Sequence, residues 1–373
     1  MKKRVLSVLL AGALLLTSGC SSLLNRSLLS VEPHAEHTAA TEGSAALRAE
    51  SYLGLVSAIQ LCVAQGLETG EIQLYNYTRD PEKDLIAACL AVIETDPLAA
   101  YAVDYIKHDV TRILSYYKVN LTIRYRRTPE QMAGIVTATG GSAVRGELTH
   151  TLADFRTECV LRISDFTEDD AYIEQLLRQA YLDAPAAALG EPVHQLAVYP
   201  NSGKQRIVEV LLTYPEDVAE LKIKSTRLQT LAQKIVEAAT RDGTENLTER
   251  LYAALKQRAL FVKDKENGST AYAALIEGTA DSMGMALAWK LLCDAAEIPC
   301  TVVNGKDGDG SPRYWTIVTG AEGPRHMDPT RPQPEIFTDA QRAEQGYTWP
   351  QGIYPLCGDP IPTPIPEKTE KTP

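Results

Sequence analysis

The segment from Ala271 to Thr330 constrains the fold most, because an apolar helix and three short strands follow one another there with only brief connections. Leu287, Leu291 and Ala295 recur at helical spacing, and Met283 and Trp289 widen the apolar surface, so the helix is mostly buried. Ser282 is placed to cap its N-terminus, and Pro299 closes it. Thr301-Val302-Val303 then reads as a strand, residues 304–312 as a loop rich in Gly and Asp, and residues 313–318 as a second strand. Arg325-His326-Met327-Asp328-Pro329-Thr330 ends a third. A buried helix laid on a short antiparallel sheet is an α+β arrangement.

The residues within these elements carry more than a fold. Gly278-Thr279-Ala280-Asp281-Ser282-Met283-Gly284-Met285-Ala286, then Glu297-Ile298-Pro299-Cys300, then Arg313-Tyr314-Trp315-Thr316, then Asp328-Pro329-Thr330 follow one another in register. This series resembles the transglutaminase-like superfamily, whose pattern runs Gly-x-Ala-x-Cys-x-Gly-Tyr-Ala, Gly-Ile-Pro-Cys, His-Ala-Trp-Asn and Asp-x-Thr. The resemblance is strong from Ala271 to Asp328 and extends weakly back to about Leu228. It implies that Ser282 stands at the nucleophile position, Arg313 at that of the base, and Asp328 at that of the third member.

Only Asp328 keeps the identity the resemblance implies. A Cys in such a site attacks as a thiolate beside an imidazolium and a helix N-terminus. A serine hydroxyl needs a base to take its proton, and a guanidinium, charged at any working pH, is not one. Arg313 and Asp328 are expected to form an ion pair instead. The sequence Ala280-Asp281-Ser282-Met283-Gly284 also resembles a lipase nucleophile elbow, which requires a strand before the Ser and a His after the acid. Residues 271–277 read as helix, and the one His downstream of Ser282 is His326, with Asp307 or Asp309 as its orienting acid. The rival to an inactive site is therefore a hydrolase or acyl transferase of peptide or cell-wall substrates using Ser282 with His326. His326 and Asp328 lie on one face of their strand, but His326 is expected beyond hydrogen-bond reach of Ser282.

Upstream, the chain repeats a β-α-β-β pattern. Strand residues 71–78, helix 80–95 and strands 101–110 and 119–127 are echoed by strand 159–167, helix 169–182 and strands 193–199 and 205–213. Tyr77-Thr78-x-Asp80 matches Phe166-Thr167-x-Asp169, each at a strand-to-helix passage. Residues 45–67 precede the first unit as an amphipathic helix, and residues 222–240 and 247–260 follow the second as helices.

The N-terminus carries Lys2-Lys3-Arg4 and an apolar run, Val5 to Leu16, too short to span a bilayer. It ends Leu16-Thr17-Ser18-Gly19-Cys20, which resembles the lipobox of bacterial lipoproteins. That resemblance implies export, cleavage before Cys20, diacylation of its sulfur and anchoring to the cell membrane. Residues 21–44, His34 and His37 included, have a tether's composition, and residues 358–373 that of a disordered tail. The whole reads as α+β: a signal peptide at 1–20, a tether at 21–44, a duplicated β-α-β-β module at 45–220, a transglutaminase-like (papain-like) domain at 221–357 and a Pro-rich tail.

Formal net charge is −11, and one dense basic run, Arg124-Tyr125-Arg126-Arg127, alternates like a strand, which argues against nucleic acid as a partner. Besides Cys20 there are Cys62, Cys89, Cys159, Cys293, Cys300 and Cys357, without CxxC or zinc spacing. They read as small buried thiols, with Cys293 and Cys300 as the one conceivable bridge. Asp307-Gly308-Asp309-Gly310-Ser311 starts like a calcium loop, but Val318 stands where such a loop needs Glu. No cofactor or metal is expected. Trp289 and Trp315 read as core. The partners expected are the membrane, through the lipid, and a protein, peptide or cell-wall ligand.

Overall fold

Ser51 starts the first helix by accepting a hydrogen bond from the Gly54 N–H at 3.2 Å, and that cap decides how the chain enters its first sheet. The computed structural model describes residues 32–33, 46–166, 169–241 and 243–358. Cys20, His34, His37, the signal segment and the tail beyond Gly358 lie outside the described residues. Two compact units make up the chain: residues up to 144 with 160–166 and 198–208, and residues 145–159 with 167–197 and 209 onward.

Residues 45–67, read as one helix, divide into a strand, β2 (Leu47–Ala49), and a helix, α1 (Tyr52–Ala64). Leu47, Arg48 and Ala49 pair in parallel with Ile72, Gln73 and Leu74 of β3 (Thr69–Tyr75), so their backbone groups are satisfied in a sheet rather than a helical turn. Asp80 caps α2 (Pro81–Thr95) by accepting from the Glu82 and Lys83 N–H groups, with Pro81 preset for the first turn. Asp96 and Pro97 do the same for α3 (Pro97–Ala102), which occupies Tyr101 where a strand was expected. The hairpin β4 (Val103–Ile113) and β5 (Tyr116–Tyr125) completes a sheet of order β2-β3-β5-β4. Leu55, Ile59 and Cys62 of α1 and Leu85 and Val92 of α2 bury against Ile72, Leu74, Val119 and Leu121. Gly70 lets α1 approach that closely: a Cβ there would lie 2.8 Å from the Cys62 sulfur.

The same plan recurs. After α4 (Pro129–Ala133) come β6 (Val136–Ala138), α5 (Gly140–Ala153), β7 (Glu158–Ile163), α6 (Asp170–Asp183), β8 (Val193–Tyr199) and β9 (Arg206–Thr213). Their order is β6-β7-β9-β8, with β6 parallel to β7 and the two-residue β1 (Glu32–Pro33), inside the expected tether, paired to β6. Apart from the short α3 in the first and β1 in the second, each sheet is thus built as β-α-β-α-β-β with one strand order, longer by a β-α than the repeat visible in sequence. Asp169 caps α6 by accepting from the Tyr172 N–H at 3.2 Å, as Asp80 caps α2. Phe166 is buried and Tyr77 half-buried.

The rest of the second unit contains α7 (Val218–Thr240), α8 (Leu247–Arg258), a π-helical turn (Ala273–Glu277) and α9 (Ser282–Ala295). A two-stranded parallel ladder, β10 (Leu260–Phe261) with β11 (Thr279–Ala280), precedes α9. The antiparallel sheet β12 (Cys300–Lys306), β13 (Pro312–Gly320), β14 (Gly323–Met327) and β15 (Ile336–Phe337) runs in chain order, followed by α10 (Asp339–Glu344). Every residue of α9 from Gly284 to Cys293 is buried, and Trp289 meets Tyr252 of α8 edge to face at 5.5 Å. No helix among the described residues is long and apolar enough to cross a membrane.

Candidate functional site

The N-terminus of α9 is assembled by Asp281. Its Oδ1 accepts from the Gly284 N–H at 2.9 Å, and its Oδ2 accepts from the Ser269 hydroxyl. The cap expected of Ser282 therefore belongs to its neighbour, because a carboxylate offers two acceptors and charge to the free N–H groups where a hydroxyl offers one weak acceptor. Ser282 becomes the first helical residue, and its Oγ accepts from the Tyr314 N–H at 3.3 Å. Gly284 lets residues 268–270 press on this turn: a Cβ would lie 2.1 Å from the Gly268 carbonyl oxygen. The strand β11 stands immediately before, so the passage into α9 is strand, turn, helix.

Arg313 on β13 reaches Asp328 just past β14, with Nη2 3.1 Å from Oδ2. The guanidinium also donates to Thr330 Oγ1 and lies over the Phe261 ring at 4.8 Å. Asp328 is 1% exposed. It accepts from the Thr330 N–H at 3.0 Å and hydroxyl at 2.6 Å, and Arg342 Nη2 lies 3.4 Å away. Burial works against its ionisation, but Arg313, the Thr330 bonds and Arg342 outweigh it and hold the carboxyl below its ordinary range. The Tyr252 hydroxyl lies between the Arg331 carbonyl at 2.7 Å and the Asp328 carbonyl at 3.1 Å, tying this turn to α8.

Ser282 and Arg313 line one hollow of about 330 Å³, together with Phe261, Lys263, Ser269 and Asp281. The carboxylate that a triad would use to orient its base is bound to a guanidinium, and the Ser282 hydroxyl meets a backbone donor. This arrangement holds a hydroxyl and a cation toward a ligand; Asp264, Asp281 and Asp307 are the carboxylates of the lining, and no imidazole lines it among the described residues.

His326 is engaged elsewhere. Its imidazole is fully buried, Trp315 Nε1 donates to Nδ1 at 2.8 Å, and Nε2 faces Asp339 Oδ1 at 2.8 Å. An indole N–H only donates, so Nδ1 carries the lone pair and Nε2 the proton that goes to Asp339. Burial holds the pKa below 6.5, against the pull of Asp339. The Cys357 sulfur lies within 4.8 Å of these ligand atoms, a grouping that resembles a metal site. In it Nε2 and Asp339 are spent on each other, and burial pushes the Cys357 thiol up to about 12. Asp307 spends Oδ1 on the Asp309 and Ser311 N–H groups of its own loop.

Trp289 and Trp315 are fully buried. Within the basic run, Arg126 donates to the Tyr101 carbonyl at 2.9 Å. Cys62, Cys89, Cys159, Cys293, Cys300 and Cys357 are all buried free thiols. Arg342, Asp339 and Tyr347 were not anticipated. Arg342 is wholly buried and stacks 3.5 Å from the Tyr347 ring centre. The available signal was Thr338 with Gln341, the capping box that opens α10 and aims Arg342 inward.

No family model and no curated protein matches the sequence. Solved structures do. A TGase structure is 18% identical over 46% of this chain and 51% of its own, with a TM-score of 0.24. A protein described as a cysteine protease from Cytophaga hutchinsonii is 16% identical over 39% of this chain and 68% of its own, at 0.25. Another described as a protease from Parabacteroides distasonis ATCC 8503 is 9% identical over 72% of this chain and 44% of its own, at 0.21. The match spans about half the length of the TGase chain. At TM-scores this far below 0.5 these likenesses carry no argument about this chain.

Proposed function

We propose that the chain is a lipid-anchored protein of the bacterial cell envelope whose transglutaminase-like domain binds without catalysing acyl transfer. The observation that carries this reading is Arg313 at the base position, bonded to Asp328 at 3.1 Å. With the cation held there, no imidazole among the described residues stands in the hollow to take the Ser282 proton and Asp281 is engaged in capping α9, while the α9 N-terminus, Arg313 and Lys263 remain to hold a polar ligand. Anchoring rests on the sequence ending at Cys20, and the binding or scaffolding role on a cleft retained without its chemistry. The partner proposed is a protein, peptide or cell-wall ligand.

The test is labelling with a fluorophosphonate and with iodoacetamide, read by intact mass, alongside hydrolysis of peptide amides. The native protein should take no fluorophosphonate at Ser282 and release no product. Labelling or amidase activity that disappears in Ser282→Ala would overturn the reading.

A further inference from the structure

One face of α7 is left uncovered on the second unit, and its chemistry is opposite to that of the chain as a whole. Two adjoining hollows of about 730 and 490 Å³ run along it, sharing Leu231, Lys234 and Arg258. Ile223, Arg227, Leu231, Lys234 and Ala238 form a stripe at helical spacing along α7. The facing wall comes from α8 and the π-helical turn. The cations lining the two hollows are Lys222, Arg227, Lys234, Arg250 and Arg258, and among the described residues no carboxylate lines either. Lys222, Lys234 and Arg258 pair with no carboxylate among the described residues. This basic groove sits on a chain of formal net charge −11.

We infer that the groove docks an acidic amphipathic helix of another protein. Charge complementarity selects the sign, since five cations with no acid beside them in the described lining present a positive field that an anionic partner neutralises. Shape selects a helix. From Lys222 to Ala239 the groove follows about 25 Å of α7, the length of a helix of roughly 17 residues. The apolar floor is recessed, with Leu275 buried and Leu231 half-buried, while Ala238, Ala253 and Ala254 at one end let a backbone approach closely. An anionic membrane would need apolar side chains projecting outward, and among the lining residues only Ile223 stands out, at 62% exposed. The inference is independent of the reading of Ser282.

Binding is measured by fluorescence anisotropy with the folded chain and a labelled 18-residue helical peptide carrying Leu on one face and Glu on the other. The same peptide with Lys in place of Glu is the control. The acidic peptide should bind, weaken as salt rises, and lose at least tenfold in affinity to Lys234→Glu/Arg258→Glu, whose circular dichroism should match the native chain. The basic peptide should not bind. Equal binding of both peptides, or unchanged affinity in the double variant, would overturn the inference. So would a variant-sensitive association with phosphatidylglycerol vesicles, or with a second copy in sedimentation, unaccompanied by peptide binding.

Discussion

At position 313 a guanidinium lies 3.1 Å from a carboxylate that is 1% exposed, and at position 326 an imidazole is held between an indole and a second carboxylate. The two cases show one rule with opposite results. Asp328 ionises more readily than in water because charge and hydrogen bonds outweigh burial, whereas His326 protonates less readily because burial outweighs Asp339. The His326 case has a pH consequence. Its folded pKa lies below 6.5, so as pH falls through about 6.5 the unfolded chain takes a proton that the folded chain refuses. Its contribution to stability is complete above that value and declines below it, by about 1.4 kcal/mol per unit of depression. Urea denaturation at pH 7.5 and 5.5 should show a larger loss for the native chain than for His326→Gln, which keeps an acceptor for Trp315 and a donor for Asp339. Equal losses would mean that His326 does not titrate differently on folding.

The helix α9 was legible as an element, because Leu287, Leu291 and Ala295 repeat at its period, but its cap was displaced by one residue. Sequence spacing alone does not choose between Asp281 and Ser282. The choice is made by the Ser269 hydroxyl and the Gly284 N–H converging on one carboxylate. Asp281→Ala should therefore cost about 1 kcal/mol of stability and Ser282→Ala less than about 0.5 kcal/mol, as read from chemical denaturation; the reverse ranking would return the cap to Ser282. Residues 45–50 failed differently. Leu47 and Ala49 continue the helical pattern of α1, yet Ser51 stops the helix and β3 supplies the backbone partners. Tertiary pairing overrode a local pattern.

Across the whole molecule, the repeat was legible through Tyr77, Asp80, Phe166 and Asp169 because caps after strands leave a sequence trace. The leading β-α of each unit was not, since β2 and β6 are three-residue strands without a turn motif between them and their helices. At the site, an ion pair between Arg313 and Asp328 was expected, and the two lie 3.1 Å apart. Arg342, Asp339 and Tyr347 come from a segment without a periodic pattern and join the site only through tertiary packing. The anchoring proposal is a whole-molecule claim with its own check. Mass spectrometry of the mature N-terminus should find Cys20 as the first residue, carrying lipid, and an unprocessed or unmodified terminus would contradict it.

The central claim is that, once a thiol stands at position 282, the residue at position 313 decides whether it becomes reactive, and thiol alkylation tests it most directly. In Ser282→Cys the thiol should gain no basic partner, because Arg313 still holds Asp328. In Ser282→Cys/Arg313→His an imidazole orientable by Asp328 stands beside it, so the thiolate should form near neutral pH. Iodoacetamide alkylation at pH 7 should be at least tenfold faster in the double variant and follow the ionisation of the Cys–His pair. Equal rates in the two variants, with both folded, would contradict the account.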